Sequence, residues 1–359
     1  LQQKGDWDQA IKAFSSALER DPDMVPARVS LGNCFHQTGE IDAAAKQYQD
    51  ALSQNPKLAH ARLGACISQL PIVYRSEEHI EQCRVGYARA LEDMFDYFAS
   101  SSQEERSHAA SAVGFLQPFY LAYQGLPVKA LQERYAATIR MLMTSRFPQF
   151  DKRLPMPGID GKIRLGMVSG FLRNHSAWNY FQGLFEAMDR NRFEITLFHT
   201  HGGGDRETEL LKHLSDGFIE GPKSTAQWAD VIRSQDLHAL FYPEFGMDPM
   251  CIQLGCLRLA PLQLTSWGHP VTSGLESIDY YLSSDLMEPE NGQDEYTETL
   301  VRLPNLGMHY RLPIVDPAPL NRADLGLPEH GVMYWCCQSL FKYLPRHDDV
   351  FPRIAKQLN

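Results

Sequence analysis

The chain has 359 residues, of which 34 are basic and 44 acidic, giving a net charge of −10, and 43% are hydrophobic. This composition fits a globular protein of two or three domains and excludes a disordered, collagenous or coiled-coil chain. The acidic balance gives no general attraction to nucleic acid or to anionic membranes, and no apolar run approaches the roughly 18 residues of a membrane span. The sequence therefore predicts neither of these as a partner.

The cysteine content indicates a reducing compartment. There are seven cysteines, and no two of them have the CxxC spacing of a structural zinc site. An odd number without a disulfide framework is typical of a cytoplasmic protein. His199 and His201 form no metal-ligand set with neighbouring residues, so we expect no metal. Cys336 and Cys337 lie in an apolar run and are predicted to be buried in a strand.

A repeat organises the N-terminal part of the chain. Pro22 and Pro56 are 34 residues apart, the period of tetratricopeptide helix pairs. Small and aromatic residues occupy the repeat positions before each proline: Ala10, Phe14 and Ala17, then Leu31, Gly32, Phe35, Ala44, Tyr48 and Ala51. A third repeat begins at Leu63-Gly64 and departs at Leu70-Pro71. We assign residues 1–75 to this array and expect it to begin inside a longer one.

The next segment keeps a helical pattern but loses the 34-residue period. Residues 131–143 have apolar side chains at helical spacing. Residues 146–161 carry several prolines, as linkers do. We therefore predict a helical connector and linker over residues 76–160.

Short apolar strands then alternate with helices, which is typical of a parallel sheet of βαβ units. The predicted strands are residues 163–168, 193–198, 239–242, 262–265 and 332–337. The predicted helices are residues 177–188, 227–233, 250–257 and 347–358, with one more helix that includes residues 210 and 211. We expect one Rossmann-like lobe over residues 161–317. Residues 318–359 would begin a second lobe, whose remainder we expect to be missing.

Ligands of open α/β sheets bind beyond the carboxyl ends of the strands, so the loops there hold the candidate residues. His175 follows the first strand and could accept a proton or cap the next helix. Residues 268–274 form a loop whose backbone amides could bind a sugar or phosphate. The alternative is that this loop is an ordinary turn. Lys342 follows the last predicted strand and could neutralise a phosphate or be a surface lysine.

Four motifs in order carry a resemblance to a known family. They are Arg164–Gly170 with Asn174-His175, Leu259–Gly274, Ile278–Tyr280 and Gln338–Lys342, and they follow a tetratricopeptide array. Together they resemble the O-linked N-acetylglucosamine transferase family, especially the SPINDLY-like glycosyltransferases of bacteria. The resemblance covers nearly the whole chain.

The resemblance implies an α-solenoid followed by a Rossmann-like lobe of a GT-B fold, with the second lobe incomplete. It implies transfer of N-acetylglucosamine from a UDP-sugar to protein hydroxyls, without metal or other cofactor, the UDP-sugar being a co-substrate. The catalytic residues it implies are His175, as base or as sugar and acceptor contact, and Asp230. The substrate-binding residues it implies are His269, Pro270, Thr272, Ser273, Gly274, Gln338 and Lys342, the lysine meeting the donor diphosphate.

The chain departs from the family at several positions. Ser30 and Arg62 replace asparagines that hold the acceptor in animal members, and Ser339 replaces a glutamine or asparagine. The tetratricopeptide array is still the expected acceptor-binding part. Two alternatives stay open: an interaction scaffold with a non-catalytic lobe, or the same chemistry with another hexose or an asparagine acceptor. We expect this chain alone to lack transferase activity, to bind UDP weakly and to aggregate through its unfinished sheet edge.

Overall fold

The computed structural model describes residues 6–159, 161–308 and 316–358. The helices of the first part are α1 (Trp7–Arg20), α2 (Val25–Thr38), α3 (Ile41–Gln54), α4 (Ala59–Ile67), α5 (Glu77–Ser100), α6 (Gln103–Ala109) and α7 (Lys129–Arg146). The described residues before position 160 contain no strand. The predicted α-solenoid is therefore confirmed.

The repeat helices approach one another most closely around Tyr48. This tyrosine on α3 is fully buried. A Cβ atom added to Gly32 would lie 2.9 Å from its ring, and one added to Gly64 would lie 2.5 Å away. Because a close-packed interior has no space for such atoms, only glycine fits at these two positions. The small residues of the 34-residue pattern thus let α2 and α4 pack against α3.

The strands of the second part form one sheet. Their bounds are β1 (Ile163–Ser169), β2 (Phe193–His199), β3 (Gly217–Glu220), β4 (Ala239–Tyr242), β5 (Leu262–Ser266), β6 (Tyr280–Ser284) and β7 (Thr299–Leu303). The order across the sheet is β3-β2-β1-β4-β5-β6-β7, and every neighbouring pair is parallel. The predicted parallel α/β sheet is confirmed, with three strands (β3, β6 and β7) that the sequence pattern did not indicate.

Helices cover both faces of the sheet. They are α8 (Ser176–Ala187), α9 (Arg206–Leu214), α10 (Thr225–Arg233) and α11 (Pro249–Gly255). One face shares a continuous apolar core with the helical part, in which Tyr135 of α7, Trp228 of α10 and Leu254 of α11 are buried. The opposite face packs against α8 and α9 through Phe185 and Leu211. The helical connector is therefore part of the wall of the lobe.

The predicted strand over residues 332–337 is wrong. These residues form no strand, and Val332 and Trp335 are 81% and 76% exposed. Cys336 and Cys337, predicted to be buried, are exposed as well. An apolar run becomes a strand only where a neighbouring strand supplies hydrogen bonds, and none of the described strands pairs with this run. The helix predicted over residues 347–358 is present as α12 (Val350–Gln357).

Candidate active site

The strand order places the candidate site at the carboxyl ends of β1 and β4. Chain order runs outward from β1 through β2 to β3, and then restarts at β4 on the other side of β1. The crevice at such a reversal is where open α/β sheets bind ligands. The loops that border it are residues 170–175 after β1 and residues 243–248 after β4.

His175 is the N-cap of α8, the helix that follows β1. Its Nδ1 accepts the backbone N–H of Ala177 at 3.1 Å, and its ring stacks on Phe171 with centroids 4.3 Å apart. Burial, with a smaller contribution from Arg173, lowers the pKa of this imidazole below its ordinary value. Because a backbone N–H can only donate, Nδ1 is the acceptor and the neutral ring carries its proton on Nε2.

Two buried carboxyl groups that sequence reasoning missed lie in the loop after β4. Glu244 accepts the Gly170 N–H at 3.3 Å, and burial raises its pKa to about 8. Asp248 is fully buried and accepts the Cys251 N–H at 2.8 Å. Both lie within six residues of the end of a predicted strand, which is the signal that could have identified them.

Asp248 forms an ion pair with His201, which lies beyond the end of β2. The atoms Nε2 of His201 and Oδ2 of Asp248 are 2.6 Å apart, without the alignment of a hydrogen bond. Burial alone would raise the pKa of Asp248, but His201 and the Cys251 N–H outweigh it and lower that pKa. Asp248 in turn raises the pKa of His201. The sequence analysis had considered His201 only as a metal ligand.

The loop after β5 turns most of its predicted binding groups inward. His269 is buried, stacks on Phe119 with centroids 5.1 Å apart, and has a pKa lowered by burial to about 4. Thr272 Oγ1 donates to Oε2 of the buried Glu298 at 2.6 Å, and Ser273 donates to Oε1 through N and Oγ. Pro270 is exposed, whereas Gly274 is buried. The two hydroxyls thus bind protein rather than the open edge.

Lys342 and Gln338 are both exposed. The Lys342 Nζ lies 5.9 Å from the ring centroids of Tyr123 and Phe341. Phe341 also contacts Phe119, the residue on which His269 stacks. A chain of ring contacts therefore links Lys342 to the loop after β5.

Asp230 lies on the exposed face of α10, whose buried residues are Trp228, Ala229 and Ile232. None of the described contacts of His175, His201 or Asp248 involves it. The structure thus groups His175 with the loops after β2 and β4, and Lys342 with the loop after β5. It places Asp230 outside both groups, and the catalytic and binding roles of all these residues stay predictions.

The described residues contain no group of three His, Cys, Asp or Glu side chains that could hold a metal ion. No helix in the described parts of the chain is long and apolar enough to cross a membrane.

Two family models match this chain. A tetratricopeptide repeat model matches residues 1–67. The model of glycosyl transferase family 41 matches residues 129–310, just over half of the chain. The second match includes the loops after β1, β2, β4 and β5, and therefore the His175, Asp248 and His269 environments.

Individual proteins agree with these matches. The chain is 25% identical over 265 residues to the probable UDP-N-acetylglucosamine--peptide N-acetylglucosaminyltransferase SEC of Arabidopsis thaliana, covering 69% of the chain and 27% of that protein. It is 37% identical over 73 residues to the UDP-glucose:protein N-beta-glucosyltransferase of Actinobacillus pleuropneumoniae, covering 20% of the chain and 12% of that protein. The chain thus spans only a minor part of these relatives.

A solved structure shares the fold. A mutant of the Thermobaculum terrenum O-GlcNAc transferase superposes with a TM-score of 0.63 at 22% sequence identity. The superposition covers 99% of this chain and 64% of that chain. The order of a helical array followed by a parallel-sheet lobe is therefore common to both.

Proposed function

Because the chain belongs to glycosyl transferase family 41, we propose that the protein transfers a sugar from a UDP-sugar to side-chain hydroxyls of other proteins. The proposed sugar is N-acetylglucosamine, which the name of the plant relative specifies. The observation that carries the proposal is the family match over residues 129–310, since it includes the loops at the sheet reversal. The UDP-sugar is a co-substrate, and the proposal includes no metal or other cofactor.

In this reaction His175 acts as a hydrogen-bond donor. Its Nδ1 is held by the Ala177 N–H, so the ring presents Nε2–H to a substrate oxygen. A hydrogen-bond donor that is held in place beside the charge developing in the transition state stabilises that charge more than water does. Lys342, exposed on the connector side, neutralises the diphosphate of the donor.

The acceptor protein reaches the site along the tetratricopeptide array. A surface pocket of about 260 Å³ is lined by His36 and Gln37 at the end of α2 and by Met247 and Pro249, which flank Asp248. A polypeptide in this pocket would lie directly beside the loop after β4.

A second candidate keeps the chemistry but changes sugar and acceptor. The similarity to a UDP-glucose:protein N-beta-glucosyltransferase favours transfer of glucose to a side-chain nitrogen. As to compartment, we propose the cytoplasm, because none of the seven cysteines forms a disulfide bond.

The test is expression of the complete protein in a bacterial host without this activity, followed by mass spectrometry of host proteins. Added N-acetylhexosamine on serine or threonine supports the first candidate, and added hexose on asparagine supports the second. If neither sugar is added while the protein is folded, the transferase proposal is wrong.

Two variants of His175 then test its role. His175→Gln places an amide N–H near the position of Nε2, whereas His175→Asn keeps only the acceptor that caps α8. We expect His175→Asn to lower the transfer rate about 100-fold, which is the usual effect of removing one hydrogen-bond donor to a transition state. His175→Gln should retain more of the rate. Equal losses in both variants would contradict the donor role.

A further inference from the structure

The proposed transfer requires a group that removes a proton from the attacking side chain. His175 cannot do so in the arrangement described, because its Nδ1 already accepts the Ala177 N–H. His269 is buried against Phe119. Glu244 and Asp248 are buried as well, so neither carboxyl group can meet an acceptor. A base at this edge must be a more accessible group.

His201 meets this requirement. Its side chain is 50% exposed, whereas that of its partner Asp248 is fully buried, with 2.6 Å between Nε2 and Oδ2. The carboxylate is itself fixed, since its Oδ1 accepts the Cys251 N–H at 2.8 Å and the Thr200 hydroxyl at 3.4 Å. A buried carboxylate that orients a more exposed imidazole is the arrangement by which a histidine becomes an effective base.

The pair also fixes which nitrogen is basic. Because Nε2 lies 2.6 Å from the carboxylate oxygen Oδ2, the negative charge favours the neutral tautomer that carries its proton on Nε2 and keeps its lone pair on Nδ1. His201 and His175 both contact the ring of Phe171, with centroids 6.4 Å and 4.3 Å from it. One phenylalanine therefore places a proton acceptor and a hydrogen-bond donor at the same crevice.

We propose that His201, oriented by Asp248, is the general base of the transfer reaction; this inference rests on the proposed function. The Nδ1 of His201 takes the proton of the acceptor side chain while the acceptor atom forms its bond to the anomeric carbon of the sugar. The bond from that carbon to the phosphate oxygen breaks, and its electron pair leaves with UDP.

The charges around His201 favour a base that works near neutral pH. Asp248, in the loop after β4, raises the pKa of His201 above 6.5, while burial and Arg173, in the loop after β1, act against this. His199 on β2 also interacts electrostatically with His201. Because a base must be unprotonated, the rate should rise with pH through a pKa above 6.5.

The activity test uses the complete protein with tritiated UDP-N-acetylglucosamine and desalted host lysate as the acceptor mixture; if mass spectrometry finds hexose, tritiated UDP-glucose is used instead. We expect His201→Gln to lower the initial rate at least 100-fold and to remove the acid limb of the pH profile. Asp248→Asn should lower the rate about 10-fold or more, because the amide can hold the opposite tautomer. It should also move that limb to lower pH, because the negative charge that raises the pKa of His201 is lost. His213→Gln, at an exposed position in the last turn of α9, is the matched control and should leave rate and profile unchanged.

A second measurement does not depend on activity. The imidazole carbon-proton signals of ¹³C-histidine-labelled protein are titrated by NMR, and His201 is assigned from the signal missing in His201→Gln. We expect its pKa to lie above 6.5 in the wild type and to fall in Asp248→Asn. A value at or below 6.5, or one that Asp248→Asn leaves unchanged, would overturn the inference; if His201→Gln does not fold, the signal is assigned from His201→Asn instead.

The outcomes separate the two proposals. If the wild type transfers neither sugar, both the proposed function and this inference are wrong. If the wild type transfers sugar and folded His201→Gln keeps both its rate and its acid limb, only the inference is overturned.

Discussion

The loops after β1 and β5 leave the same edge of the sheet but use their polar side chains in opposite ways. After β5, Thr272 and Ser273 turn their hydroxyls toward the buried Glu298. After β1, His175 rests on Phe171, and its Nε2 takes part in none of the described hydrogen bonds. The loop richer in hydroxyls therefore bonds its polar side chains to the protein interior, and the loop with the half-buried histidine keeps one ring nitrogen outside the described hydrogen bonds. The stability of the lobe should accordingly depend on the loop after β5 far more than on the loop after β1.

The largest expected effect is at Gly274. A Cβ atom there would lie 2.5 Å from the backbone oxygen of Gln132 on α7, and the residue has φ +70°. We expect Gly274→Ala to cost about 4 kcal/mol through backbone strain and overlap combined. Gly203→Ala is the matched control, because φ is +71° but nothing lies within 4 Å of the added atom. Urea midpoints that fall equally in both variants would show that the contact with α7 is unimportant.

The next effect is a dependence of stability on pH through His269. Burial lowers the pKa of this imidazole to about 4, whereas the unfolded chain takes up the proton near 6.5. Between these values only the unfolded state is protonated, so stability falls as pH drops from 6.5 to 4, by about 3 kcal/mol in all. His269→Gln should remove the contribution of His269 to the dependence of stability on pH. The contribution of His36 should remain, because burial lowers the pKa of that residue to about 4 as well. Parallel slopes in wild type and variant would contradict the burial of His269.

A smaller effect is expected at Glu298. Its Oε2 accepts from Thr272 Oγ1, which itself accepts the N–H groups of Gly274 and Thr297. In Glu298→Gln the new amide N–H would face a hydroxyl whose lone pairs are both occupied, and we expect a loss of about 2 kcal/mol. The exposed Glu295→Gln should change nothing measurable. Thermal unfolding of the two variants side by side tests this, and identical curves would contradict it.

The smallest effect on stability is expected at His175. His175→Ala removes the cap of α8 and should cost about 1 kcal/mol, while His175→Asn keeps a capping oxygen and should cost little. Circular dichroism melting of both variants provides the measurement. A loss of several kcal/mol in His175→Asn would mean that this loop carries the fold as much as the loop after β5 does.

The repeat period and the short apolar runs of the sequence are enough to predict most of the architecture. The 34-residue period predicted helices around Tyr48, and strands β1, β2, β4 and β5 followed from short apolar runs. Strands β6 and β7 were missed because polar residues such as Ser283 and Arg302 interrupt their apolar runs. Strand β6 is held by its neighbour β5, where the Ser266 hydroxyl donates to Leu282 O. The same dependence on neighbours explains the error at residues 332–337, where apolar residues lack a pairing strand.

The sequence by itself determined the order of the parts and the strand ends where candidate residues were sought, because periodicity and strand ends are local features. Only the tertiary structure decided which atoms of those loops are available. It turned Thr272 and Ser273 toward Glu298, which lies on a later segment of the chain. It also paired His201 with Asp248 across the sheet, since β2 and β4 both lie next to β1 in an order that no local pattern encodes.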